Sequence, residues 1–260
     1  MNADTAVLVL AFILGLCFGS FLNVVIFRLP LGQSLTRPPS RCMSCGYKLR
    51  WRDNVPILSW ALLGGKCREC RAPISMQYPI VELVTGLLFV LVVSLTPMGP
   101  LVFSRLIFVC ILNALFGIDL EHQILPNTIT LPGIAIGFIF SFVTPPGWQS
   151  SLVGIVLGAG ILYGIAAAYY LWRREEGLGM GDVKMLAMIG AFLGWRAVLL
   201  TLVMSSFSGA VLGVALMATR RGGLQYALPF GTFLAAGAFI AMLAGESILS
   251  WYLGYYFDGL

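Results

Sequence analysis

Charge is what this chain has least of. Asp, Glu, Lys and Arg make up 10% of its 260 residues, against about 25% in a soluble domain. That shortage excludes an ordinary water-soluble fold. Hydrophobic residues take the space, at 59%, and the mean hydropathy is +0.92. The composition is that of an all-α polytopic membrane protein. A net charge of +5 would suggest nucleic acid as a partner for a soluble protein; here it reports topology, and no nucleic acid is expected. A basic n-region is also lacking. The first five residues hold Asp4 and no base, and the apolar run from Ala6 to Phe27 is too long for a signal h-region. The N-terminus therefore reads as a span and not as a cleavable signal. Finally, no Gly-x-Gly-x-x-Gly follows a strand, and no soluble stretch is large enough for a Rossmann domain.

Apolar runs are what the chain has instead. A helix needs roughly 20 apolar residues to cross about 30 Å of hydrocarbon. Spans are expected at about Thr5–Phe27, Tyr78–Leu95, Leu101–Ile118, Thr128–Val143, Ser151–Trp172, Ala197–Ala218 and Leu228–Leu249. Val183 to Gly194 is a difficulty, because twelve residues are too few for a full crossing. Either residues 183–218 form one overlong helix, or a short helix turns at Gly194-Trp195-Arg196 into the next. Charge separates these. With two helices there are eight spans, and Arg28, Arg37, Arg41, Lys48, Arg50, Arg52, Lys66, Arg68, Arg71, Arg173, Arg174, Lys184, Arg220 and Arg221 share one face. Only Arg105 and Arg196 of the sixteen basic residues then fall opposite. The positive-inside rule prefers that arrangement, with both termini outside and WYLGYYF near the C-terminus as an outer aromatic belt.

The expected organisation is a first transmembrane helix (1–27), a polar four-cysteine domain (28–77) and a membrane core (78–260). About fifty residues with almost no apolar core cannot fold on burial alone, so a metal or disulfides must hold the middle part. Cys42, Cys45, Cys67 and Cys70 supply the means. They read C-x2-C, twenty-one residues, C-x2-C, a zinc-ribbon-like spacing one residue beyond the usual range of about 15–20. Cys17 and Cys110 lie singly in apolar runs, where packing is the expected role.

Two carboxylates stand out in the core. Asp182 follows Gly179-Met180-Gly181 where the chain re-enters the membrane, and Asp119 ends an apolar run in FGIDLEHQILPN. An intramembrane carboxylate is costly and is a functional candidate by default. The glycines permit a tight turn and a close backbone approach. By the span count both residues reach the same face. Two carboxylates about 3 Å apart cannot both ionise, so one keeps a proton. One can then activate water while the other donates to a scissile carbonyl, which is aspartyl-protease chemistry. The bland alternative leaves each at the membrane surface beside a base such as Lys184.

GMGDVK, the stretch IDLEHQILPNTITLP, the twin C-x2-C loop and the opening GSFLNVVIFRLP, in that register, resemble the bacterial type IV prepilin peptidases, a group of G-x-G-D membrane aspartyl proteases. The resemblance implies an enzyme of the bacterial inner membrane. It would cleave the basic leader of prepilins or pseudopilins after glycine at the cytoplasmic face, then N-methylate the new terminus with S-adenosylmethionine. It makes Asp119 and Asp182 the catalytic pair, with Gly179 and Gly181 as the active-site turn. Where the family often has further aspartates this chain has Glu121 and Asn127, which are therefore not expected to be catalysts. His122, the only histidine, is expected to be a solvated loop residue. Metal binding is implied for the four-cysteine loop, and a reducing cytosol with four thiolates favours structural zinc over disulfides. Gly19, Ser20, Asn23, Arg28, Glu82 and Lys184 are the candidates for contact with substrate or methyl donor. Glu82 is as well explained by a structural hydrogen bond, and Gly15-x-x-x-Gly19 by close helix packing. Two other functions remain open on the residues: a G-x-G-D protease without methylation, and a non-enzymatic assembly factor with a zinc-held docking loop.

The charge asymmetry makes a direct prediction. Reporter fusions at Ser40, Gly177 and Gly222 should read cytoplasmic, and those at Gly147 and Leu260 should read outside. A cytoplasmic C-terminus would refute the eight-span arrangement.

Overall fold

The computed structural model describes residues 4–175, 177–218 and 229–257. Its helices are α1 (Thr5–Arg28), the short α2 (Leu58–Leu62), α3 (Gln77–Leu95), α4 (Pro100–His122), α5 (Asn127–Phe140), α6 (Trp148–Arg173), α7 (Met180–Ala218) and α8 (Phe230–Phe257). Six of them, α1, α3, α4, α6, α7 and α8, are long and apolar enough to cross a membrane. The protein is thus an all-α polytopic membrane protein. α5, with 14 residues, is shorter. Two boundaries differ most from expectation. α4 runs on to His122, so His122 is helical and not in a loop. α8 continues past Leu249 to Phe257, which draws the expected aromatic belt into the helix. Arg220, Arg221, Gly222 and Leu260 lie outside the described residues.

The chain forms two compact units, residues 1–114 and 115–260, with the boundary inside α4. In the first unit α1 and α3 touch through backbone. A Cβ on Gly15 would lie 2.7 Å from the Gly86 Cα, and one on Gly19 would lie 2.6 Å from the Glu82 Cα. Small residues permit this approach, and dispersion at short range is what joins helices where lipid removes the hydrophobic drive. Phe27 stacks on Tyr78 with ring centroids 5.1 Å apart. Val102 of α4 packs with Ala11 and Val93, and Asn113 Nδ2 donates to Thr85 Oγ1 at 2.7 Å.

The second unit is organised by α7. A Cβ on Gly154 of α6 would meet the Gly190 carbonyl at 2.7 Å, and one on Gly158 would meet the Leu186 carbonyl at 2.6 Å. Ser151 Oγ donates to the Ala191 carbonyl at 2.8 Å. α6 and the first part of α7 therefore run antiparallel. At Gly194 the backbone leaves helical geometry, with φ 78° and ψ 176°, a conformation open essentially to glycine alone.

Beyond Gly194 the helix turns back. A straight helix would put Gly209 roughly 42 Å from Gly181 at 1.5 Å per residue. Instead Gly209 lies beside Phe233, close to Gly231, while Gly231 and Gly181 both approach Leu125. α7 is therefore two antiparallel arms joined at Gly194, the two-helix course that the charge asymmetry prefers. The second arm lies against α8, where Ser205 Oγ donates to the Phe233 carbonyl at 2.9 Å.

A side chain at the hinge has no room. A Cβ on Gly194 would lie 2.5 Å from Ser150 Oγ and 2.8 Å from Pro146 Cγ, and the backbone conformation alone costs about 1–3 kcal/mol for other residues. Gly194→Ala should lower the thermal unfolding midpoint of the detergent-solubilised protein by several degrees. Gly160→Ala, where a Cβ meets nothing within 4 Å, should not.

Candidate active site and metal centre

Asp119 sits in the last turn of α4 and is 4% exposed. Its Oδ2 accepts the Thr232 backbone N–H at 2.8 Å, and the Gly231 amide faces the same carboxylate. These are among the first residues of α8, whose opening amides have no partner within the helix. Asp119 thus serves as an N-cap supplied by another helix, at the positive end of the α8 dipole. Glycine is required at 231, because a Cβ there would lie 2.9 Å from Asp119 Oδ2 and 3.0 Å from Leu125 Cδ1.

Asp182 lies in the first turn of α7, its N–H donating to the Gly179 carbonyl at 3.1 Å. A Cβ on Gly179 would come 3.3 Å from Asp182 Oδ2, and one on Gly181 would come 2.8 Å from Leu125 Cβ. Leu125 therefore touches both glycine turns, and the charge of Asp119 acts on Asp182. The ends of α4, α7 and α8 thus bring the turns that carry Asp182 and hold Asp119 together at Leu125.

The other candidates of the core lie at its edge. Lys184 Nζ donates to Asn127 Oδ1 at 2.8 Å, so this base is engaged by a neutral amide. His122 lies 3.8 Å from Glu121 and is partly exposed. Gly231 and Thr232 were not among the expected site residues. Their signal is Pro229-Phe230-Gly231-Thr232, a proline and a glycine ahead of an apolar run, which marks a helix start. Hydropathy carries the eighth span straight through it.

In the first unit, Asn23 is 1% exposed and Glu82 is 7% exposed. Asn23 Nδ2 donates to the carbonyls of Gly19 (3.3 Å) and Tyr78 (3.1 Å), while its Oδ1 is buried with no partner. Glu82 Oε2 accepts the Ile57 N–H at 2.7 Å, and the Ser20 hydroxyl also bonds to the carboxylate. Arg28 reaches the carbonyls of Ser34 and Pro38 at 3.1 and 2.8 Å, which places it in the loop rather than with Asn23.

The four sulfurs of Cys42, Cys45, Cys67 and Cys70 lie within 4.8 Å of one another, a group that can hold a metal ion. Two matching turns build it. The Cys42 N–H bonds the Tyr47 carbonyl and the Gly46 N–H bonds the Cys42 carbonyl; the Cys67 N–H bonds the Ala72 carbonyl and the Arg71 N–H bonds the Cys67 carbonyl. The residue after each second cysteine is left-handed, Gly46 at φ 74° and Arg71 at φ 59°. The amides of Cys45 and Ser44 face the Cys42 sulfur and pull its pKa down to about 6. Cys45 goes up to about 12: the Tyr47 amide favours its thiolate, but burial and the sulfurs of Cys70, Cys42 and Cys67 oppose it. Four thiolates cannot share this space without a cation. Asp53 ties the two turns together, accepting from Tyr47 Oη, the Arg50 N–H and Arg68 Nε. Burial alone would raise its carboxyl, but the Arg68 guanidinium and the Arg50 amide outweigh it and hold the carboxyl below its ordinary value.

Comparison with known proteins shows the family. Residues 13–96 match the Bacterial Peptidase A24 N-terminal domain, and residues 106–214 match the Type IV leader peptidase family. The Prepilin leader peptidase/N-methyltransferase of Myxococcus xanthus is 45% identical over 219 residues, which cover 83% of this chain and 65% of that protein. The proteins of the same name from Aeromonas hydrophila and Pseudomonas aeruginosa are each 37% identical, covering 94% and 93% of this chain and 93% and 91% of their own lengths. No solved structure matches. The chain belongs to the type IV leader peptidase family, that of the prepilin leader peptidase/N-methyltransferases.

Proposed function

We propose that this protein is a bifunctional enzyme of the bacterial inner membrane. It cleaves the basic leader of type IV prepilins or pseudopilins after glycine, at the cytoplasmic face, and methylates the new N-terminus. The observation that carries the reading is the convergence of Asp119 and Asp182 on Leu125 at the ends of three apolar helices. The names and coverage of the relatives support it. They also favour it over a protease without methylation, and an assembly factor would leave the paired carboxylates unexplained.

In the cleavage step a water lies between the carboxylates. The Thr232 amide donates to Asp119 and the Gly231 amide faces it, an arrangement suited to a charged acceptor, so Asp119 takes the proton from water. Asp182 donates its proton to the scissile carbonyl oxygen as the C–O bond forms. Asp119 then passes its proton to the leaving nitrogen as the C–N bond breaks, and Asp182 recovers its own from the collapsing hydroxyl. Gly179 and Gly181 leave the site open to an extended backbone.

The membrane frame follows from the same reading. α5 and the two arms of α7 join the other helices as spans, giving about eight, with the G-x-G-D turn reaching below the cytoplasmic surface. Residues 28–77 then form a cytoplasmic domain, preceded by the first span and followed by the core. Its metal is zinc. Tetrahedral Zn–S bonds of about 2.3 Å place sulfurs roughly 3.8 Å apart, and the Cys42–Cys70 and Cys45–Cys67 sulfurs are 3.7 and 4.0 Å apart. Four thiolates leave no open position, so the metal is structural. The methyl donor is S-adenosylmethionine, which supplies an electrophilic methyl group. Asn23 and Glu82, buried acceptors in the first unit, suit the amine partner of that reaction. Gly19 and Ser20 lie in the same segment, Arg28 holds the loop that follows α1, and Lys184 borders the peptidase site. The wider partners are the prepilin or pseudopilin substrate and membrane lipid.

Purified protein should carry about one zinc per chain. Cys42→Ser or Cys70→Ser should lose it, and because a structural metal contributes folding free energy directly, protease should then cut between Arg28 and Arg71. Metal analysis finding no zinc, with thiols paired as disulfides, would reverse this.

Asp119→Asn and Asp182→Asn should each nearly abolish cleavage, the double change costing little more because the pair acts as a unit. The activity should be bell-shaped in pH, with two apparent values belonging to the pair. Methyl transfer needs no such pair. A peptide with a free N-terminal phenylalanine should still be methylated by the folded Asp182→Asn protein, and failure there would mean that the two sites overlap.

A further inference from the structure

Among the described residues, one apolar seam holds polar groups that neither cleavage nor zinc uses. Glu82 lies in the second turn of α3, roughly 7.5 Å along the helix from Gln77, and its side chain is nearly enclosed. No described Lys, Arg or His forms an ion pair with it; the ion-pair contacts among the described residues are Arg68–Asp53 and His122–Glu121. The Ile57 amide donates to the carboxylate and Ser20 faces it, which leaves lone pairs unanswered and, for the ionised group, no cation beside it. On the facing helix the Asn23 carbonyl oxygen is buried and unpartnered. Its amide nitrogen is committed to the Gly19 and Tyr78 carbonyls, which fixes the oxygen in the acceptor orientation. Gly19 packs its backbone on Glu82, and Tyr78 is one turn before Glu82, so both acceptors belong to one stretch of the α1–α3 seam.

An unpaired buried acceptor costs about 1–3 kcal/mol, and a lone carboxylate among apolar helices costs more. What would satisfy both is a group rich in N–H donors and carrying positive charge. We infer that Glu82 and Asn23 form a binding site for a primary amine, the group that accepts the methyl in the activity proposed above.

The inference rests on that activity for its purpose, and the chemistry balances. The amine arrives as an ammonium and gives one proton to Glu82, which frees its lone pair. A C–N bond forms to the methyl carbon of a sulfonium donor as the C–S bond breaks. The sulfur leaves as a neutral thioether, and the positive charge ends on the methylated nitrogen. Asn23 Oδ1 holds a remaining N–H throughout. The same site chemistry would also take the α-amino group of the methyl donor itself, and the experiment tells the two sources apart.

Glu82→Gln is the informative change, because its amide oxygen still accepts the Ile57 N–H while the charge is lost. Full-length protein in nanodiscs is given, without methyl donor, a labelled peptide beginning with phenylalanine, either free or N-acetylated. Wild type should bind the free form at least tenfold more tightly, and Glu82→Gln should remove that preference without changing affinity for the acetylated form. If the peptide preference survives and affinity for S-adenosylmethionine falls tenfold or more instead, the amine is the donor's and the assignment to the methyl acceptor is overturned. If neither affinity changes, the inference is overturned. Cleavage of a co-expressed prepilin is read in the same variants by mass spectrometry. Wild type that does not cleave refutes the proposed function, whereas Glu82→Gln product that is cleaved and fully methylated refutes only the amine site. Asn23→Leu, which removes the orphan acceptor at similar volume, gives an independent second reading. It should weaken free-amine binding, and an unchanged preference there would also count against the site.

Discussion

A carboxylate among apolar helices must be solvated by something other than bulk water, and the second unit is built around that demand. Asp119 meets it with the amino end of α8. The same bond also serves α8, whose opening amides need acceptors that its own backbone cannot offer. One interaction therefore fixes where α8 begins, what residue can stand at 231, and which way the Asp119 oxygens face. Removing the carboxylate would leave helix and site both unsupported.

Backbone contact is the means by which the rest is brought close. Gly154 and Gly158 of α6 rest on Gly190 and Leu186 of α7, and Gly137 of α5 rests on Ala191 and Phe192. These contacts hold the first arm of α7 from two sides, so the turn that carries Asp182 is attached to a firmly packed helix. The hinge at Gly194 adds a second consequence. By reversing the chain it returns the second arm to α8, and α8 in turn presents its first amides to Asp119. A well-defined site thus depends on glycines placed far from it in sequence.

The first unit obeys the same physics with a different outcome. Its polar segment has little apolar surface to bury, and two turns of matching hydrogen bonds converge four thiols on one point. Four thiolates at that point would need a cation between them, and the group can hold one. Asp53 joins the turns from outside, through Arg68 and Tyr47, so the domain is held by charge where a larger one would be held by a core. Glu82 reaches from a membrane helix to the Ile57 amide and so anchors the loop to the helices that flank it.

Much of this was legible in the residues alone. Long apolar runs specify membrane helices because lipid leaves the backbone no other way to satisfy itself, and α1 and α3 fall within a residue or two of their expected limits. Cysteine spacing and the glycine-flanked Asp182 likewise declare themselves locally. Tertiary structure decided the rest. Hydropathy sums over a window, so it ended a span at Ile118 where the helix continues through Asp119, and ran another through Pro229 where a helix begins. It left 183–218 open between one helix and two, since that depends on contacts with α6 and α8. The amides that hold Asp119 are 113 positions away in sequence, and they are backbone groups, which carry no signature in residue type. The repeat of the two cysteine turns is equally hidden, for Gly46 and Arg71 share a left-handed backbone and nothing in their side chains. What a residue is can be read along the chain; which backbone group answers it is settled only when distant helices meet.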